Sequence, residues 1–406
     1  MNESKKKMLL VSILCGLGYM MYSVDRMVMS TSVGLIAKEF SFSQATNGVL
    51  MSSFFYGFIA FLFVGGVLSD RLSGKSVVIA GIVIFSLATA ATSFAGGLTT
   101  MLIYRILTGI GEGVFWPAAS LEVANVTTEK QRATVMSLYW TGYPIGGFLG
   151  TWLGANIGPE YGWRSVFYVA CGLGLLIAFL YAVLVKNSDS ADCSPIAKKV
   201  EQKQEVPIKE LITNQSVVIL GLYYFVLMCG WWIVLLWAPT FLMQAKHMSL
   251  STAGTIASVL GLSGAAGGIL LGRYCDAGSL MRQKTVLILT TFLSGLLMAG
   301  LVYDFPTWLI TVMILLLGFF GYPATPIVLA ITSQLVPQKI RGSAIGFVMN
   351  VGMTGGAISP VAAGVFSGQY GMTNVWLMAA AVLALSSLLL FFTGKVERVS
   401  TENECN

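Results

Sequence analysis

Four ionisable residues stand in stretches that are otherwise apolar: Asp25 and Arg26 between Lys7 and Lys38, and Arg105 and Glu112 seven positions apart. A charge at the centre of a membrane helix costs about 2.5–3.5 kcal/mol on insertion scales, so each needs a partner or a task. Carrying an anion is one such task, because guanidinium forks bind carboxylates bidentately and carboxyl groups exchange protons. The alternative is a static network that fixes helix packing, a role that glycine and hydroxyl groups serve at less cost. Seven residues span about 10.5 Å of helix and return nearly to the same face, so Arg105 and Glu112 can line one cavity. Asp25 and Arg26 point about 100° apart, and each is expected to find its partner on another helix or in water.

Other chemistry is poorly provided for. His247, the sole histidine, falls in an expected outer loop beside Lys246. Cys15, Cys171, Cys193, Cys229, Cys275 and Cys405 are scattered without a CxxC pair, which argues against disulfides and metal clusters. There is no HExxH motif and no histidine in a helix to act as a base, so an enzyme is not expected, nor any cofactor beyond a proton as coupling ion.

The elements that hold these charges must be transmembrane helices. Of 406 residues, 56% are hydrophobic and 10% charged, against about 25% charged in soluble proteins. An all-α membrane protein is expected, with twelve crossings near 8–37, 44–68, 76–95, 98–121, 133–157, 162–185, 215–243, 250–272, 285–303, 306–333, 343–367 and 372–394. Placing both termini in the cytoplasm puts 19 of the 24 basic residues there; only Lys38, Arg164 and Lys246 fall outside, and Arg26 and Arg105 lie in the membrane. The net charge of +6 is thus a topology signal rather than a nucleic-acid footprint. The apolar run after Lys5, Lys6 and Lys7 is too long for a signal peptide and is expected to be retained.

The chain reads as two related halves. Lys130–Gly147 aligns without a gap onto Lys339–Gly356 at an offset of 209, which also places Pro117 on Pro326 and Gly109 on Gly318. The expected units are a six-helix bundle at 1–185, a cytoplasmic linker at 186–214, a second bundle at 215–394 and a tail at 395–406. Duplicated bundles around a shared midplane site suggest alternating access. Gly142, Gly146, Gly150 and Gly154, and again Gly264, Gly268 and Gly272, recur every fourth residue and are expected to pack helices closely. The second half has no counterpart of the buried charges. Its cavity candidates are Tyr223, Tyr224, Trp231, Trp232, Tyr322, Thr325 and Asn350, while Trp140, Thr141 and Tyr143 are offered by the fifth span.

The loop Gly66-Val-Leu-Ser-Asp70-Arg71-Leu-Ser-Gly74-Lys75 resembles the signature loop of the major facilitator superfamily, and the likeness extends over essentially the whole chain. That resemblance implies two pseudo-symmetric six-helix bundles and a cytoplasmic gate latch at Asp70, Arg71 and Lys75. More narrowly, Tyr22-Ser-Val-Asp25-Arg26 and the run from Arg105 through Glu112 to Pro117 resemble the anion:cation symporter branch, which includes sialin and bacterial sugar-acid carriers. The branch implies proton-driven import of an organic anion, with Asp25 and Glu112 titrating and Arg26 and Arg105 serving the anion. Tyr56 and Asn350 match positions that face substrate in such carriers.

The expected substrate-facing set is therefore Arg26, Arg105, Tyr56, Asn350, Tyr143, Tyr223, Tyr322 and Thr325. Ser23-Val24 departs from the branch's usual motif, and the bulky fifth-span residues tilt toward a smaller or less hydroxylated acid than a hexonate. The resemblance implies a multi-pass protein of a bacterial-type inner membrane, and a monomer is expected. An anion exchanger or multidrug antiporter of the same fold, and more distantly a non-transporting sensor, are the competing expectations.

Overall fold

The structure, a computed structural model, describes residues 3–185, 211, 213–276, 278–336 and 340–392. Most of the expected linker, the tail at 395–406 and the side chain of Asp70 lie outside the described residues. No strand occurs among the described residues. In the first half α1 is Glu3–Phe40, α2 Gln44–Arg71, α3 Gly74–Thr92, α4 Leu98–Asn125, α5 Glu129–Tyr161 and α6 Trp163–Leu184. In the second, α7 is Gln215–Ala245, α8 Leu250–Asp276, α9 Leu280–Gly300, α10 Thr307–Gly321, α11 Ala324–Leu335, α12 Arg341–Tyr370 and α13 Met372–Leu389. Helices α10 and α11 are two parts of one crossing, parted at Tyr322 and Pro323 where proline removes a backbone donor. The described residues thus make twelve crossings. Ten are apolar enough to span a bilayer on length and composition alone; α4 and α5 are not among them, and α4 carries Arg105 and Glu112 under the cover of its neighbours.

The internal repeat is visible in the local chemistry that starts and ends helices. Ser43, Ser73, Asn214, Ser249 and Ser279 each accept a hydrogen bond from the backbone N–H three residues on, satisfying a donor that the first helical turn leaves open. Ser43 and Ser249, like Ser73 and Ser279, are 206 residues apart. Gly162 joins α5 to α6 at φ +82° and Gly371 joins α12 to α13 at φ +80°, 209 residues apart and both left-handed, where a Cβ would be strained. Within the halves, α1 packs on α5 as α7 packs on α12, and α2 on α4 as α8 on α10. The halves meet where α5 faces α8 and α2 faces α12.

One glycine stripe packs helices as expected. A Cβ at Gly142, Gly146, Gly150 or Gly154 would collide with α1 at Gly16, Met20, Val24 or Thr31. The other stripe is corrected. Gly264 makes room for the ring of Tyr322, and nothing lies within 4 Å of a Cβ at Gly268 or Gly272, because there the two halves have parted.

At the end away from the termini, charged residues are tied down. Arg164 forms a two-bond fork with Glu39 (2.8 and 2.7 Å), and the Trp163 indole donates to the same carboxylate. Lys246 donates to Val302 O, Tyr303 O and Asp304, and its hydrogen bond and charge hold the Asp304 carboxyl below its ordinary range.

Candidate functional site

A cavity of about 330 Å³ lies between the halves. It opens toward the end of the bundle that carries the termini: Met136 and Ser137 at the start of α5, Gly272 and Cys275 at the end of α8, and Gln283 near the start of α9 line its mouth. The opposite end is closed. There Ser30 donates to Leu236 O (2.7 Å), Ser251 donates to Asn156 (2.8 Å), and Asn156 donates to Thr255 (3.3 Å), each bond joining the first half to the second.

Helix α1 supplies the floor. Tyr19, Tyr22 and Arg26, three and four residues apart, fall on one helical face and all line the cavity. Arg26 donates from Nε to Glu112 Oε2 at 2.8 Å, and its Nη2 stands 2.7 Å from the same oxygen. The guanidinium also lies 4.0 Å from the Tyr22 ring centroid, 4.4 Å from that of Phe54 and 4.9 Å from that of Phe58. Such stacking holds an arginine in a desolvated site without consuming its hydrogen bonds.

The other three charges stand one layer behind. Glu112 and Arg105 are 0% exposed and Asp25 1%, and none of them borders the cavity. Arg105 donates from Nη1 to the backbone oxygen of Asp25 (3.0 Å), while its Nε and Nη2 have no hydrogen-bond partner among the described residues. The buried Asp25 carboxylate lies beside the Thr89 hydroxyl of α3 and within the field of Arg105 on α4. Arg105, expected among the substrate-facing residues, therefore stands behind the cavity wall in this structure. The 100° turn from Arg26 to Asp25 sends the acid toward α3 and α4, and the shared face of Arg105 and Glu112 points at α1 rather than into the void.

The remaining candidates divide. Tyr143, Tyr322 and Thr325 line the cavity, as do Trp140, Thr141, Trp231 and Trp232. Tyr223 does not: it is buried, and its hydroxyl shares a hydrogen bond with Thr291 on α9 (2.8 Å). Tyr56 is 52% exposed on the outer face of α2, one helical stripe with Phe63 at 79%. Asn350 is exposed and bonds its own helix at Gly346 O (3.0 Å), whereas its neighbours Met349 and Met353 face the cavity. At the signature loop, Lys75 ties α3 to α6 through Ala182 O (2.8 Å) and Arg71 is exposed. Tyr19, Tyr22, Phe58 and Met228 were not among the expected lining residues; for the two tyrosines the spacing to Arg26 was the available signal.

These placements carry a test. Tyr56→Ala and Asn350→Ala are expected to leave transport within about 2-fold of wild type, and Tyr223→Phe to cost about 1 kcal/mol of stability with little effect on transport. Uptake and thermal unfolding of the three purified variants check this; a large transport defect at Asn350 would restore it to the site.

Twelve crossings in two related bundles, closed at one end around a cavity with a charged floor, define a membrane transporter and not an enzyme. The chain belongs to the Major Facilitator Superfamily, whose family model matches residues 15–301 and 277–404. It is similar to the hexuronate transporter of Bacillus subtilis, 28% identical over 95% of this chain and 94% of that one. It is also similar to the 3-(3-hydroxy-phenyl)propionate transporter of Escherichia coli, 26% identical over 94% and 92% of the two chains. Among solved structures, the inward-open xylose transporter of E. coli shares the fold with a TM-score of 0.78 at 16% identity, over 97% of this chain and 98% of that one.

Proposed function

We propose that the protein imports an organic anion, a sugar acid or another monocarboxylate, together with protons. The observation that carries this reading is the position of Arg26, which borders the cavity on one side and bonds the buried carboxylate of Glu112 on the other. Its guanidinium can serve Glu112 or the carboxylate of a guest. A proton on Glu112 removes the competing charge, and loss of that proton draws the guanidinium back and releases the guest. Asp25, buried beside Thr89 and Arg105 behind the cavity wall, is the second acid in the scheme. The similar hexuronate and 3-(3-hydroxy-phenyl)propionate transporters are named for organic acids, which supports the anion. The excess of basic residues at the end bearing the termini supports a cytoplasmic membrane with both termini inside, so the cavity faces inward. Against a phosphate-ester exchanger or a cation exporter stands the lining itself, where Arg26 is the single charged side chain among the described residues.

Uptake into proteoliposomes with the outside made acidic is the test. Acidification should stimulate accumulation of at least one carboxylate; uptake of every carboxylate indifferent to the gradient would overturn symport.

Alternating access adds an expectation at the two ends. A Cβ at Gly254 would strike Ala155 across the closed end, whereas Gly268 has open space. Gly254→Leu should force the closed end apart, and Gly268→Leu should leave this conformation intact but prevent its closing. Spin-label distances between α5 and α8 at the two ends report both shifts; unchanged distances in Gly254→Leu would contradict the expectation.

A further inference from the structure

A continuous run of aromatic rings leads from Arg26 across the cavity. The guanidinium lies on Tyr22; from there Tyr143, Tyr322 and Trp231 follow at centroid distances of 6.0, 6.3 and 5.3 Å. The far part of this wall is built to fixed positions. A Cβ at Gly264 would collide with the Tyr322 ring, at Gly321 with Trp231 and at Gly356 with Trp232, so glycines of three helices form the seats of three rings. Met136, Met228, Met349 and Met353 also line the cavity, polarizable side chains that pack readily against rings.

Apart from ring-borne groups (tyrosine hydroxyls and indole N–H) and Ser137, the polar side chains on the described lining are few and already bonded within the protein. Thr325 accepts from the Tyr224 hydroxyl (3.1 Å), Thr141 donates to Leu138 O (2.6 Å), and Gln283 is bonded to Gln334 (2.9 Å). The tyrosine hydroxyls remain at the ring edges. A polyhydroxylated acid would bury several hydroxyls against ring faces and sulfur, each losing its hydrogen bonds to water. A dicarboxylate would find one cation among the described lining residues. A cavity of about 330 Å³ sits at the small end of ligand pockets.

We infer that the transported anion is a single-ring aromatic monocarboxylate carrying at most a few ring hydroxyls, with its carboxylate on Arg26 and its ring against Tyr322 and Trp231. This rests on the symport reading and narrows it. Sugar acids and small aliphatic acids become the poorer guests.

The test is binding and counterflow with the purified protein, using 3-hydroxybenzoate, D-galacturonate and L-lactate as probes. 3-Hydroxybenzoate should bind at least ~10-fold tighter than the other two, read by thermal shift and by change in tryptophan fluorescence. Trp231→Leu and Tyr322→Leu should erase most of that preference, while Tyr322→Phe, which keeps the ring, should retain it. Galacturonate or lactate binding as tightly as 3-hydroxybenzoate would overturn the inference, and so would a preference unmoved in folded Trp231→Leu. Acid-stimulated uptake of galacturonate or lactate but not of 3-hydroxybenzoate would overturn the aromatic inference and leave symport standing; uptake of 3-hydroxybenzoate indifferent to the gradient would overturn symport and leave the ring preference standing.

Discussion

Arg26→Lys is expected to lower uptake at least ~100-fold, and Arg26→Ala to lower it further. Lysine keeps the charge, but an ammonium cannot place one donor on Glu112 and others on a guest carboxylate, nor lie flat against Tyr22 and Phe54. Removing one partner of a buried ion pair typically costs about 3–5 kcal/mol because the other charge is left uncompensated, so Arg26→Ala alone would mix a stability defect with a transport defect. The double variant Arg26→Met/Glu112→Gln separates the two. With both charges gone, stability should largely return, since apolar or neutral replacement of a whole buried pair is often close to neutral. Transport should not return. Recovery of uptake in the double variant would reduce the pair to a packing device, the static network that the sequence left open.

Glu112→Gln is expected to split transport into its parts. Glutamine keeps the size and a hydrogen-bonding oxygen but has no proton to give up, so Arg26 stays permanently available to a guest. Binding and counterflow should persist at levels within several-fold of wild type, while accumulation driven by an acid outer side should fall at least ~10-fold. Asp25→Asn would report whether the second acid shares this role. Comparing counterflow with gradient-driven uptake in the same vesicles distinguishes uncoupling from simple damage, which would lower both.

The architecture was legible because bilayer crossing demands long apolar runs and because the duplication left a gapless match at one offset. Every expected crossing overlaps an observed helix, and the left-handed Gly162 and Gly371 repeat at the same offset as the sequence match. Arg26 was legible too, from its isolation in an apolar run. The layer in which each charge sits was not. Helices α1 and α4 are buried on more than one side, so their apolar pattern does not say which face meets the cavity and which meets another helix. Tyr56 and Asn350 lie off the cavity for a related reason: a position carried over from a family motif fixes a place along a helix, while the packing of α2 and α12 decides the direction of the side chain. The stripe of Gly264, Gly268 and Gly272 shows the same ambiguity, since spacing alone cannot separate a glycine that admits a helix from one that seats a ring or borders open space.

One measurement reaches the central claim, that a proton on Glu112 frees Arg26 for the guest carboxylate so that the two enter together. In de-energised vesicles of low buffering capacity, an acid found to be a substrate by counterflow is added outside and the external pH is followed. Wild type should alkalinise the medium as the anion enters, drawing protons with it, and Glu112→Gln should admit the anion with little or no pH change. Anion entry without alkalinisation in wild type, or equal alkalinisation in Glu112→Gln, would contradict the mechanism.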